Sequence, residues 1–267
     1  GTCGSCWAFG ALSAADSRIC IATDGAFSGP DAQLSRGFAA SCGTNNGCEG
    51  GLARYAYKLM SRSGIPIGGK RGCKPYWGVG AGVDHFNSDS SAPPCPSSCQ
   101  TQYGRRLSQD SFRGFADWRE VTANSWGNKD AKNNLMQYGP LSFGIDATDP
   151  FFAYSSGIFS SGCGSWTSAN HEVVAIGWGP NYVIGLNSWG PNWGMKGVFH
   201  LADCNVLDWT TIGDIKGDVS KFPCRCRAGA RSQVPARVLG LRPRSAQVPA
   251  RVLGLRPRSA QVPARVL

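Results

Sequence analysis

The stretch Cys3-Gly4-Ser5-Cys6-Trp7-Ala8-Phe9-Gly10-Ala11 decides how the rest of this chain is read. Two cysteines lie three positions apart, just before an apolar run that predicts a buried helix from Trp7 to Ile21. Cys6 stands at the entrance of that helix, where the dipole favours a negative charge and a thiol is most easily ionised. Cys3 is left available to pin the loop. A thiol nucleophile needs an imidazole base and a group that orients the base. A His and an amide side chain are therefore required downstream.

Both are found. The chain holds three histidines, and one opens the segment His171-Glu172-Val173-Val174-Ala175-Ile176-Gly177-Trp178-Gly179. After Gly179-Pro180-Asn181, strong turn chemistry, comes Tyr182-Val183-Ile184-Gly185-Leu186-Asn187-Ser188-Trp189-Gly190. Two apolar, β-branched runs around such a turn predict a hairpin, with His171 and Asn187 as cross-strand neighbours. Singly, each residue has an ordinary role: a buried Cys, a structural His, a turn Asn. Their order and spacing together favour catalysis. Cys6 as thiolate and His171 as imidazolium would attack and protonate a peptide bond, with Asn187 fixing the ring and Trp189 covering the pair. The Cys6 backbone amide would be one oxyanion donor.

The length allows two compact halves. Residues from about 1 to 115 read as helices and stapled loops. From about 116 to 215 short β-rich runs such as Leu141-Ser142-Phe143-Gly144-Ile145 alternate with Gly and Pro turns, which predicts an antiparallel, barrel-like sheet. The class is α+β, with a cleft that sets Cys6 on one wall and His171 on the other. His200, on a strand, reads as structural.

At these residues the chain resembles papain-family cysteine proteases, and within them cathepsin B. The pattern around Cys6 is a known local signature of papain and cathepsin nucleophiles. Ser17-Arg18-Ile19-Cys20-Ile21, Gly47-Cys48-Glu49-Gly50-Gly51, Gly72-Cys73-Lys74-Pro75-Tyr76, Tyr138-Gly139-Pro140 and Asn187-Ser188-Trp189-Gly190 follow in family order, so the likeness covers about 1 to 215. It implies a papain-like two-domain fold and substrate backbone bound along Gly50 and Gly51. It implies disulfides Cys3–Cys48, Cys42–Cys95, Cys73–Cys99 and Cys163–Cys204. It also implies polypeptide substrates, a propeptide, cystatin-type inhibitors, a monomer, and a lysosomal, endosomal or secreted location.

Three departures refine that picture. Cathepsin B covers the primed side of its cleft with a loop bearing two histidines that hold the substrate's C-terminal carboxylate. Here the corresponding insertion, about Lys74 to Arg105, carries Asp84-His85. With His85 alone beside an acidic neighbour, an endopeptidase with weakened or absent exopeptidase activity is expected. Second, the acidic floor of cathepsin B's main specificity pocket aligns with Trp209, with Asp208 adjacent, so a shallower apolar pocket is expected. Third, the family's oxyanion glutamine would lie one position before Gly1. The chain therefore reads as an N-terminally truncated fragment that leaves Cys20 unpaired.

Twelve cysteines point to an oxidising compartment. No second Cys pair matches Cys3 and Cys6 with zinc-finger spacing, so no metal or other cofactor is expected. No apolar run reaches the eighteen residues a membrane span needs. Residues 1–220 form the expected peptidase domain, and 221–267 differ from it. From residue 233 the chain repeats a 14-residue unit, beginning Gln233-Val234-Pro235-Ala236-Arg237, whose regular prolines preclude a helix. All eleven basic residues beyond 220 are unmatched by any acid, while the first 220 residues hold 16 basic and 17 acidic ones. The net charge of +10 thus belongs to the tail, a disordered repeat or else a basic arm for nucleic acid or anionic membrane. Cys224 and Cys226 lie in it without assigned partners. The rival function is a catalytically impaired papain-like homologue that acts as a binding protein.

Overall fold

The computed structural model describes residues 3–77, 91–115, 117–123, 128–215, 217 and 219, and the backbone alone of 125–127 and 265–266. Asp84, His85, Cys224, Cys226 and nearly all of the tail lie outside the described residues.

Helix α1 (Cys6–Ala22) is the central element. Trp7, Ala8, Ala11, Leu12, Ala14, Ala15 and Ile19 are all fully buried on it. A helix that is apolar on every side must be covered on every side. On one side α1 packs on α2 (Arg36–Cys42) and α3 (Ala53–Arg62), on the other against strands β2 (Leu141–Ile145) and β4 (His171–Gly179). The Ser35 hydroxyl caps α2 by accepting the Phe38 N–H at 3.0 Å. Helix α3 buries Ala53, Ala56, Tyr57 and Met60, one stripe at helical spacing.

The later residues build a sheet in the order β1-β7-β2-β4-β5-β6-β3. Its other strands are β1 (Trp118–Thr122), β3 (Ile158–Phe159), β5 (Tyr182–Leu186), β6 (Val198–Ala202) and β7 (Asp208–Ile212). Between β1 and β2 runs α4 (Ser125–Tyr138). The barrel-like expectation needs two amendments. The strand path does not close, since β1 and β3 end it, and β3 pairs with β6 in parallel. A two-residue strand, β8 (Arg265–Val266), pairs with β4 at Gly177 and Trp178.

Apolar side chains gather in two cores. One holds Trp7, Leu12, Ile19, Leu34, Tyr57 and Phe115. The other holds Leu141, Phe143, Phe151, Val173, Phe199 and Trp209. Disulfides Cys3–Cys48, Cys42–Cys95 and Cys73–Cys99 staple the loops around the first, and Cys163–Cys204 joins two segments around the second. These are the four pairs the resemblance implied. Among the described residues, the free cysteines are Cys6 and Cys20. No helix among them is long and apolar enough to cross a membrane.

Arg18 ties the two cores together. It is 2% exposed on α1. Its Nε donates to the Pro140 carbonyl at 2.7 Å and Nη2 to Gly139 O at 2.9 Å and Asn134 Oδ1 at 2.7 Å. Nη1 donates to the carbonyls of Ile212 and Gly213. All five N–H donors of the guanidinium are thus used, four of them on backbone carbonyls. Burial pulls its pKa down to about 10, which still leaves it a cation at neutral pH. An ammonium has three donors and no planar fork, so Arg18→Lys should leave buried carbonyls unpaired at a cost of about 3 kcal/mol. The expected result in a thermal melt is a fall in Tm on the order of 10 °C; a melt within 2 °C of wild type, on that same scale, would show the clamp to be dispensable.

Candidate active site

The loop before α1 is fixed on several sides. The Cys3–Cys48 disulfide and a Gly4 N–H bond to Cys48 O at 2.7 Å hold its backbone. Ser5 Oγ meets the Tyr76 hydroxyl at 3.0 Å, and Trp7 Nε1 donates to Gly47 O at 3.0 Å. Cys6 is therefore the first residue of a helix whose entry is pinned. The backbone amides of Cys6, Trp7 and Glu172 all lie close enough to its sulfur to favour the thiolate. The contact with Glu172 sets the thiol beside the residue that follows His171, where α1 packs on the start of β4.

His171 begins β4 opposite Ile145 of β2. The preceding Asn170 locks that start. Its N–H donates to Ile145 O at 3.0 Å, and its Oδ1 accepts the Ala147 N–H at 2.7 Å. The hairpin forms, with a two-residue turn at Pro180-Asn181, but its register is not the direct one expected. A bulge between Ala175 and Gly177 shifts the pairing, which ends at Val174 opposite Leu186. Continued by one residue, that register would set Asn187 opposite Val173, two positions from His171. The two side chains bridge the gap diagonally, with His171 Nε2 and Asn187 Oδ1 at 2.9 Å.

That bond assigns the proton. An amide oxygen only accepts, so Nε2 carries the hydrogen and Nδ1 is left for the thiol. Asn187 Oδ1 also accepts the Ser188 N–H at 2.8 Å, which fixes the amide. Trp189 stacks on the imidazole with centroids 4.8 Å apart and planes inclined at 28°. Phe152 stacks in turn on Trp189 at 4.8 Å and 12°. Both triad side chains on this wall are closed to water, at 8% and 9% exposure.

Burial acts against both charges. It pushes the Cys6 thiol up and the His171 imidazole down, the latter only partly offset by Asn187. The low thiol pKa expected from the helix dipole is thus opposed by desolvation. A charged pair formed by transfer of one proton between two such groups would be supported by the attraction between the two new charges.

Gly50 and Gly51 edge an open groove of about 560 Å³ with Asn45, Glu49, Leu52 and Tyr55. Gly50 has φ +97°, and Gly51 lies so close to Trp7 that a Cβ would fall 2.6 Å from the indole ring. The first position favours glycine by backbone shape and the second by contact.

Trp209 is not where the sequence reading put it. Its ring is 2% exposed in the second core, 5.1 Å from that of Phe143, with Nε1 donating to Asn128 Oδ1 at 2.8 Å. Alternate residues of a strand face opposite sides, and this one faces inward. Asp208 takes the outward side. Its carboxylate accepts the Gly144 N–H at 3.1 Å, and a Cβ at Gly144 would meet both that carboxylate and Ala169. Asp208 therefore stands near the base, two residues from which lies Ala169. Glu172, Asp208 and Gly144 were not foreseen as a group; nothing local in the sequence joins them. Among the described residues, no three His, Cys, Asp or Glu side chains group as a metal site. His200 lies apart from the site, 4.9 Å from the Tyr182 ring.

Comparison with known proteins agrees with this geometry. Residues 1–212 match the model of the papain family of cysteine proteases. A gut-specific cysteine proteinase of Caenorhabditis elegans is 34% identical over 210 residues, covering 75% of this chain and 61% of its own. A cathepsin B-like cysteine proteinase of Schistosoma japonicum is 32% identical over 238 residues, covering 80% and 66%. The chain thus spans about three fifths to two thirds of these relatives' length. The crystal structure of a Carica candamarcensis cysteine protease superposes with a TM-score of 0.59 at 26% identity, covering 80% of this chain and 90% of that one. The chain belongs to the papain family of cysteine proteases.

Proposed function

We propose that this chain is a cathepsin B-like cysteine endopeptidase acting on polypeptides. The observation that carries the reading is the His171–Asn187 bond under Trp189, with the Cys6 thiol against the adjoining strand. In the first step Cys6 Sγ attacks the peptide carbonyl carbon and a C–S bond forms. The carbonyl oxygen takes the negative charge, near the Cys6 backbone amide. His171 passes its Nδ1 proton to the departing nitrogen as the C–N bond breaks. Water then adds to the thioester, giving its proton to His171, and Cys6 leaves as thiolate. Throughout, Asn187 holds the ring and Trp189 keeps bulk water from it. Gly50 and Gly51 suit an extended substrate backbone, since neither raises a side chain into the groove.

Asp208, rather than Trp209, supports a specificity reading: its carboxylate beside Gly144 and Ala169 would suit Arg or Lys two residues before the scissile bond. This replaces the apolar preference expected from the alignment. Endopeptidase action rests on Asp84 beside His85, which leaves a substrate carboxylate poorly held. The oxidising setting suggested by four disulfides supports a lysosomal, endosomal or secreted location.

Four measurements test this. An active-site epoxide should label Cys6 and not Cys20, and His171→Ala should lower kcat/KM by about 10²–10⁴-fold or more. A binding protein without turnover would instead show neither labelling nor an acyl-enzyme burst. In a peptide panel, Asp208→Asn should lower kcat/KM about 10-fold or more for Arg two residues before the cut and leave Val there nearly unchanged. Equal losses for both would remove Asp208 from the pocket. Finally, amidating a substrate's C-terminus should leave its rate unaltered; dipeptide release abolished by amidation would show exopeptidase action.

A further inference from the structure

Glu172 follows the base directly, and the chemistry above uses only its backbone. Its side chain points under α1, where the space for it comes from Gly10: a Cβ there would fall 2.6 Å from Glu172 Cγ. The residue keeps a small exposed edge, but Oε1 is shut off from solvent and has no hydrogen-bond partner. Every neighbouring element supplies something to it except a cation. From α1 comes the Cys6 thiol, from α3 the Tyr57 hydroxyl, and from β2 the Ser142 hydroxyl. From β7 comes Asp208 and from β1 Glu120. On its own strand His171 is committed to Asn187. Glu120 is itself bound by Arg54, and Arg18 spends all its donors elsewhere. Among the described residues no Lys or Arg pairs with Glu172.

A carboxyl so placed is held neutral. Burial raises it most, then Asp208; Ser142 opposes them and Glu120 adds the smallest push upward, so that it titrates at about 8. Below that pH it is an uncharged wedge between the halves. Above it, a carboxylate without a counter-ion faces the nucleophile, and that charge raises the thiol further.

We propose that Glu172 is a proton-controlled switch on the nucleophile: protonated in its Gly10 socket it lets Cys6 ionise, and ionised it holds Cys6 as the neutral thiol. The inference rests on Cys6 being the nucleophile. It makes Glu172 a positioning residue for charge rather than a group that touches substrate. The thiolate–imidazolium pair then persists in acid and gives way to thiol and imidazole as Glu172 loses its proton. Activity is thereby confined to acidic and neutral pH by a group outside the triad.

The test is the pH dependence of kcat/KM with a substrate carrying Val two residues before the cut, together with the rate at which iodoacetamide alkylates Cys6, read on the Cys6 peptide so that Cys20 does not contribute. In Glu172→Gln the alkaline limb of both profiles should move up by about one pH unit, since the limb that remains is loss of the proton from a His171 imidazolium held up by the Cys6 thiolate. The double variant Gly10→Ser with Glu172→Ala, which refills the socket without a carboxyl, should show the same shift. Asp208→Asn should move the limb toward acid, because the neighbour that raises Glu172 is gone. In the Glu172→Gln background Asp208→Asn should move nothing. Superimposable profiles for wild type and Glu172→Gln would overturn the switch, as would an Asp208→Asn shift of equal size in both backgrounds. Failure of the epoxide to label wild-type Cys6 at pH 5 would overturn the protease reading and the switch together, whereas normal labelling with unmoved limbs overturns the switch alone.

Discussion

The structure depends on one helix that serves two cores, and on the Arg18 guanidinium that makes this possible. Helix α1 gives its apolar residues to the helical side, yet its first residue must reach the strand that carries His171. Five donors from a single side chain fasten the helix to the turn before β2 and to the end of β7. Four of the acceptors are backbone carbonyls with no charge to give in return, so the cation is solvated mainly by dipoles. That arrangement suits a delocalised, planar group and excludes most others. The spacing between Cys6 and His171 is then set by a rigid element, and not by the loops around it.

The same crossing point concentrates the electrical cost of the site. Burial at the junction of α1 and β4 disfavours thiolate, imidazolium and the Glu172 carboxylate at once. Three groups that each prefer to be neutral can still support an ion pair, provided only two of them ionise and their charges are opposite. A third charge of either sign upsets the balance. Asn187 contributes here because it is neutral: it orients the imidazole without adding a charge that would have to be compensated. The stack of Trp189 and Phe152 excludes water from the same pair, which strengthens every interaction beneath it.

Much of this was legible in the chain because it is local. The helix from Trp7 to Ile21 follows from a run of small and apolar residues interrupted by charge only at Asp16 and Arg18, and α1 spans it with one residue more at each end. The hairpin follows from Pro180-Asn181 between two apolar runs. What was not legible depends on facing and register. The turn at Pro180-Asn181 centres the hairpin past Gly179 and the bulge near Ile176 corrects the register by only one residue, so the pair is diagonal and not direct, and no residue there announces it. Counting along β7 aligned Trp209 with a pocket position, but the pleat of the strand decides which neighbour looks into the cleft. Trp209 goes inward because Phe143 and Asn128 receive it, and those partners lie far away in sequence. One position of parity exchanges a bulky apolar ring for a carboxylate.

Gly10 and Glu172 show the same limit at its sharpest. A glycine inside a helix weakens it by about 1 kcal/mol relative to Ala, which in sequence reads only as a blemish. A Glu between a base and a run of valines reads as a solvent-facing strand residue. Each breaks a local rule, and each is explained only by the other: the missing Cβ on one element is the space occupied by the side chain of another. Here that contact lies between the helix that Cys6 opens and the strand that His171 opens, so the carboxyl sits where its charge reaches the thiol.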